Sequence, residues 1–259
     1  EDILFYQGDT NRTPIGGGHG GSRGLEVGGS AVHEAATKVV EKARTLIANI
    51  FGVAIEDIDF SEGIFSVSGT NQTIKMKEII ALSLNPEKLP DNFQCGYLNV
   101  RDTFEREIIS IPNGCHACEV EVDRETGQVQ VVNYWVVDDF GIIVNGMLAD
   151  GQVMGGVTQG IGQALMEEAV YDEAGQLITG SLIDYALPRA EDIPNIEIKY
   201  FQGEPTKKNP LGVKGAGEAG CVAAPQVVYN AVTNALRDFD TKNLHMPLTS
   251  EKIWRMMQN

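Results

Sequence analysis

The sequence predicts an α+β fold, and three observations carry that expectation. Helical three-and-four spacing and Val-rich strand patterns are mixed along the chain without a regular βαβ alternation. Two long adjoining segments read as a hairpin, and glycine-rich stretches lead into helical ones.

Taken in order, the chain opens on a short apolar, strand-like segment, Ile3 to Tyr6. A loop over 16–29 follows, in which eight of fourteen positions are Gly. From Ser30, a candidate N-cap, Ala31, Val32, Ala35, Val39, Val40, Ala43, Leu46, Ile47 and Ile50 recur at the spacing of an amphipathic helix. Ile58 to Phe60 and Gly63 to Val67 read as short strands around a turn, and Met76 to Leu84 as a brief helix stopped by Pro86. The polar, Pro-containing stretch 85–101 is the candidate connection if the domain spanning residues 1–259 has two lobes. Cys115 to Asp123 and Gln128 to Asp138, joined at Arg124-Glu125-Thr126-Gly127, form the predicted hairpin with one buried face. Gly151 to Ala169 carries Val153, Met154, Val157, Ile161, Leu165 and Met166 at helical spacing. A turn at Asp172 to Gly175 and a strand at Ile196 to Phe201 precede a second glycine cluster, 212–220, and a helix from about Pro225 to Phe239.

The chain has 259 residues, with 20 Lys and Arg against 36 Asp and Glu, a formal charge of −16. An acidic field repels a phosphate backbone, which argues against a nucleic-acid partner. With 42% hydrophobic residues the chain can bury a core, which excludes global disorder. No apolar run reaches the roughly 18 residues of a membrane span, and the acidic start lacks a signal peptide's basic region. A cytoplasmic protein is expected. Its four cysteines are too few for a disulfide scaffold.

Three glycine-rich segments, near 16–29, 151–162 and 212–220, each sit ahead of a predicted helix. Such junctions offer backbone N–H donors and the positive end of a helix dipole, so together they could hold an extended anion. Ser22 and Arg23 suit a phosphate, as hydroxyl and guanidinium donors, although a surface loop would look alike. Glu218 lies in Gly215-Ala216-Gly217-Glu218-Ala219-Gly220, where small neighbours leave its carboxylate uncrowded; a solvated loop glutamate is the plain alternative. Gly16 to Gly21 satisfies the dinucleotide fingerprint, but the region about twenty residues on is helical where a second strand with an acidic end is required. Cys115-His116-Ala117-Cys118 has no second pair, and on a strand its two thiols would point to opposite faces. Buried, inert cysteines are therefore expected there, and with no ligand spacing among the four histidines, no protein-coordinated metal.

Four motifs in order resemble the molybdenum hydroxylases, the xanthine dehydrogenase, aldehyde oxidase and aerobic carbon monoxide dehydrogenase family. They are Gly20-Gly21-Ser22-Arg23 with Gly28-Gly29-Ser30-Ala31-Val32; Pro112-Asn113-Gly114-Cys115-His116-Ala117-Cys118-Glu119-Val120-Glu121-Val122-Asp123; Asp150-Gly151-Gln152-Val153-Met154-Gly155-Gly156-Val157-Thr158-Gln159-Gly160-Ile161-Gly162; and Gly212-Val213-Lys214-Gly215-Ala216-Gly217-Glu218. The chain is similar to the C-terminal part of the molybdopterin-binding large subunit, nearest the carbon monoxide dehydrogenase-like branch. Asn145-Gly146 stands where the family often carries Asn-Pro.

That resemblance implies a molybdopterin cofactor with molybdenum, in its cytosine dinucleotide form. It implies contacts from Gly20, Gly21, Ser22, Arg23, Gln152 and Gly217, and Glu218 as the active-site base, with Lys214 either balancing charge or solvated. It also implies iron–sulfur and flavin (FAD) subunits as partners, together with the N-terminal half of the large subunit, so that the chain is a split half or an excised fragment needing a companion for turnover. Carbon monoxide, purines, aldehydes and N-heterocycles all remain open as substrates. A cofactor-free assembly module of the same fold and a nicotinamide-binding domain are the competing readings.

Overall fold

The computed structural model describes residues 3–13, 16–201 and 203–258. They divide into two compact units, one made of Val27–Glu107 with Asn209–Leu211 and the other of the remaining described residues. The passages between units fall at Glu26–Val27, Glu107–Ile108, Lys208–Asn209 and Leu211–Gly212, not within 85–101. That stretch belongs inside the smaller unit, where Leu98 is buried and the Lys42 ammonium donates to the carbonyls of Tyr97 and Asn99.

In the smaller unit, helix α1 (Ser30–Phe51) and helix α2 (Met76–Ser83) accompany an antiparallel sheet of β1 (Ile58–Ser61), β2 (Ile64–Val67) and β3 (Thr73–Lys75), in that order. The three-and-four stripe of α1 does what it predicts: Ala43, Leu46 and Ile47 pack with Ile58, Phe65, Val67 and Ile79. Ser30 is not the N-cap. A π-helical turn, Gly24–Gly29, runs straight into α1, so Ser30 is already helical and Gly29 before it has helical dihedrals. Strand β3, only three residues long, had no sequence signal.

The larger unit is built on a second sheet, β4 (Asn113–Val122), β5 (Val129–Asp139) and β6 (Asn195–Tyr200). Strands β4 and β5 form the expected hairpin, in which the Asp123 carboxylate accepts the N–H groups of Glu125 and Thr126 in the turn. The ladder slips between Glu119 and Val120, leaving Val132 as an extra residue on β5. The bulge changes the strand's parity, which is why Val131 faces the core together with Tyr134, Val136 and Asp138. Strand β6 lies parallel to β5 across helix α3 (Gly146–Leu165), and the Tyr200 hydroxyl donates to Asp150 Oδ1 at 2.6 Å, joining β6 to α3.

Helix α4 (Ala219–Ala235) packs on β4 and on α3. Both helices start earlier than their apolar spacing suggests, α3 at Gly146 and not Gly151, α4 at Ala219 and not Pro225, which sits inside it. The glycines of 151–162 are therefore within a helix, and two of them make the helix pair possible. A Cβ on Gly156 would lie 2.8 Å from the Cys221 amide nitrogen, and one on Gly160 would strike Ala224. Their small size serves close approach of α3 to α4, not an anion at a helix end. A short C-terminal helix, α5 (Ser250–Met257), is capped by Thr249 and buries Ile253. The segment Ile3 to Tyr6 is irregular and exposed, not a strand. No helix among the described residues is long and apolar enough to cross a membrane.

Candidate functional site

The larger unit contains a hollow of about 650 Å³ at which residues of all three glycine-rich segments meet. The loop 19–25 forms one wall, the loop 214–218 ahead of α4 another, and the end of β5 with the first turns of α3 the third. The expected contacts Gly20, Gly21, Ser22, Arg23, Gln152 and Gly217 all line it, as does Glu218.

Ser22 joins the first two walls. Its Oγ donates to Glu218 Oε2 at 2.7 Å and accepts from the Glu218 N–H at 2.9 Å, so one hydroxyl holds both the carboxylate and the amide that precedes α4. It does so from a left-handed backbone, φ 55°, which L residues occupy at a cost. Gly215 makes the approach possible, because a Cβ there would lie 2.6 Å from the Ser22 carbonyl oxygen. From α3, the Gln152 amide donates to the Gly217 carbonyl at 2.7 Å and fixes the same loop from the other side.

Lys214 is no solvated loop lysine. Its Nζ lies 2.5 Å from Asp139 Oδ2, with the two side chains only 13% and 15% exposed. The Lys214 hydrogen bond, ahead of burial's opposing effect, holds the Asp139 carboxyl below its ordinary value. Around this pair the Lys214 N–H donates to the Phe140 carbonyl, Asp139 Oδ1 accepts from the Gly141 N–H, and Ile142 N–H donates to Gly212. The loop bearing Glu218 is thereby clasped to the end of β5.

The Arg23 guanidinium also donates to the carbonyls of Gly17 and Gly18, fastening its own loop. The third wall was missed in the sequence. Phe140, Ile142, Ile143, Val144, Leu148 and Ala149 give the hollow an apolar side, and Asn145 caps α3 by accepting from the Leu148 N–H at 3.1 Å. An Asn before an apolar helical stretch is a capping signal. Gly146 occupies the first helical position, where Pro is also favoured, so the departure from Asn-Pro leaves the turn intact.

The cysteines differ from the buried, inert pair expected. Cys115 and Cys118 do lie on β4, but Cys115 is exposed, and only Cys118 turns inward, where burial pushes its thiol up to about 11.

These walls fit the molybdopterin that the family resemblance implies. Gly20 and Gly21 have open space where a side chain would stand, so a ligand can come directly against the backbone. Ser22, Gln152 and backbone amides offer polar groups, the apolar 140–149 wall could lie against a flat ring, and the Glu218 carboxylate is among the lining groups.

Comparison with known proteins agrees. The family model of the molybdopterin cofactor-binding domain matches residues 1–194. The chain is 35% identical over 257 residues to the nicotine 6-hydroxylase large subunit of Paenarthrobacter nicotinovorans, covering 98% of this chain and 31% of that one. It is 31% identical over 258 residues to the carbon monoxide dehydrogenase large chain of Hydrogenophaga pseudoflava, covering 100% of this chain and 32% of that one. A solved Cu,Mo-CO dehydrogenase superposes with a TM-score of 0.85 at 30% identity, over 99% of this chain and 32% of that one. The chain thus spans about a third of the length of these relatives. It belongs to the molybdopterin cofactor-binding domain family, whose members similar to it are large subunits of molybdenum-containing oxidoreductases.

Proposed function

We propose that residues 1–259 act together as the C-terminal, cofactor-holding part of a cytoplasmic molybdenum hydroxylase large subunit, with Glu218 as its base. The observation that carries this reading is the two-way hydrogen bonding of Ser22 and Glu218 at the rim of a glycine-walled hollow. The cofactor, in its cytosine dinucleotide form, supplies the two-electron oxidation of a carbon centre. Gly20, Gly21 and Ser22 receive it through main chain and hydroxyl, and Gln152 and Gly217 form the adjoining wall. Arg23 supports it by shaping the loop 17–23.

Glu218 serves as proton acceptor. Ser22 Oγ binds Oε2 and fixes the carboxylate's rotation, so Oε1 is the oxygen that takes a proton during attack on the substrate. Lys214 and Asp139 act on position only, holding the loop that presents Glu218. Iron–sulfur and flavin partner subunits would take up the electrons, and the N-terminal half of the large subunit would complete the hollow. Glu218 and Gln152 are exposed in this chain, which suits a site that needs another segment to exclude water.

The test is Glu218→Gln in the assembled enzyme. Gln keeps an acceptor for Ser22 but cannot take the proton, so molybdenum content stays at the wild-type level while turnover falls by about 10²- to 10⁴-fold. Equal loss of molybdenum and turnover would make Glu218 structural.

A further inference from the structure

Two buried ionisable side chains have no part in that chemistry. In the β4–β5 ladder His116 stands opposite Val136, so its diagonal neighbours on the same face are Tyr134 and Asp138. Its Nδ1 lies 3.0 Å from the Tyr134 hydroxyl and its Nε2 3.4 Å from Asp138 Oδ1. The side chains of His116 and Asp138 are only 2% and 3% exposed. Asp138 Oδ2 is buried without a hydrogen-bond partner. A carboxylate withdrawn from water and left short of donors is costly, and such groups in native proteins call for an explanation. The strand makes room for this one deliberately: Gly114 lies opposite Asp138, and a Cβ there would collide with Oδ1.

His116 and Asp138 border a second hollow, of about 370 Å³, within the range of small-ligand sites. Its other walls include Ile111 and Val222, which are apolar, and Ser22 and Glu218. Ser22 and Glu218 also line the first hollow, so both residues border both hollows. Two carboxylates oppose an anion here, and the apolar walls disfavour a net charge of either sign. What is missing is a single donor aimed at Asp138.

We propose that the second hollow binds a small, uncharged, largely apolar molecule through one N–H or O–H donor received by Asp138, whose carboxylate His116 holds in place. The inference deepens the reading of Glu218 as the base, on which it rests, because a molecule so seated has its far edge beside that residue. His116 is then a positioning residue and Asp138 a specificity-determining one.

The experiment is equilibrium binding by calorimetry to the assembled, molybdenum-containing enzyme, with indole and 1-methylindole as probes that differ only in the N–H. Indole is expected to bind about tenfold more tightly, the discrimination of one hydrogen bond to a charged acceptor. In Asp138→Ala the preference falls to within about twofold while 1-methylindole affinity and molybdenum content are unchanged. His116→Ala weakens the preference partially. Equal affinities for the two probes in the unmodified enzyme overturn the proposal, whether or not either variant folds. Glu218→Gln separates the two ideas: it keeps the indole preference and loses turnover, so a fully active Glu218→Gln enzyme sinks the base without touching the donor site.

Discussion

Ser22 and Glu218 lie 196 residues apart in sequence, yet a single hydroxyl both donates to the carboxylate and accepts from the amide of the same glutamate. The pair ties a loop near the start of the chain to the entrance of α4. Ser22 adopts a left-handed backbone to do it, and a strained conformation persists only where surrounding contacts over-determine it.

Removing the hydroxyl therefore frees the carboxylate to rotate. Ser22→Ala in the assembled enzyme is expected to lower turnover per bound molybdenum by about 10²-fold, the cost of a misplaced reacting group. Ser22→Gly loses the same bonds but relieves the left-handed backbone. Its unfolding free energy from urea melts should exceed that of Ser22→Ala by on the order of 1 kcal/mol.

The Lys214–Asp139 pair makes a pH prediction. Asp139 has a folded pKa below its unfolded one, so it contributes stability above the unfolded carboxylate value and loses it as pH falls through the folded value. Lys214→Met should cost about 1–2 kcal/mol near neutral pH. The gap between wild type and Lys214→Met, read from urea melts, should close below about pH 4. Lys214→Arg should restore most of it. A gap independent of pH would show that the lysine acts through packing alone.

Two glycines of α3 should respond oppositely to alanine. Gly156 faces the backbone of Gly220 and Cys221, so Gly156→Ala pushes α3 from α4 at a cost of about 1–3 kcal/mol. Gln152 lies in the N-terminal half of α3 and Glu218 immediately before α4, so cofactor retention should fall with stability. Gly155 has open space at its Cβ position, and Gly155→Ala should stabilise the helix by about 1 kcal/mol. Thermal unfolding of both variants checks the contrast.

Cys118, half-buried with its thiol raised to about 11, should resist alkylation. At pH 8 only about one thiol in a thousand is ionised, whereas the exposed Cys95 has no such protection from solvent. Peptide mass spectrometry after a timed iodoacetamide pulse should show Cys95 modified first, and denaturation should abolish the difference.

What the amino-acid order alone determined was local. The three-and-four stripe from Val39 to Ile47 specified α1 because a helix repeats its face on that period, and the Val-rich segments around Asp123 to Gly127 specified the β4–β5 hairpin because the turn chemistry is contained in adjacent residues. The glycine-rich segments around Ser22, Gln152 and Glu218 pointed by themselves to a shared extended anion, and only family resemblance gave that ligand an identity. Tertiary structure decided the rest. The parity of β5 depended on a bulge at Val132, the role of Gly156 on which helix lay opposite, the exposure of Cys115 on which face of β4 was covered, and the meeting of Ser22 with Glu218 on the closure of a chain segment of nearly two hundred residues. Periodicity records which way a side chain points along its own element; it carries no information about which distant backbone will arrive to meet it.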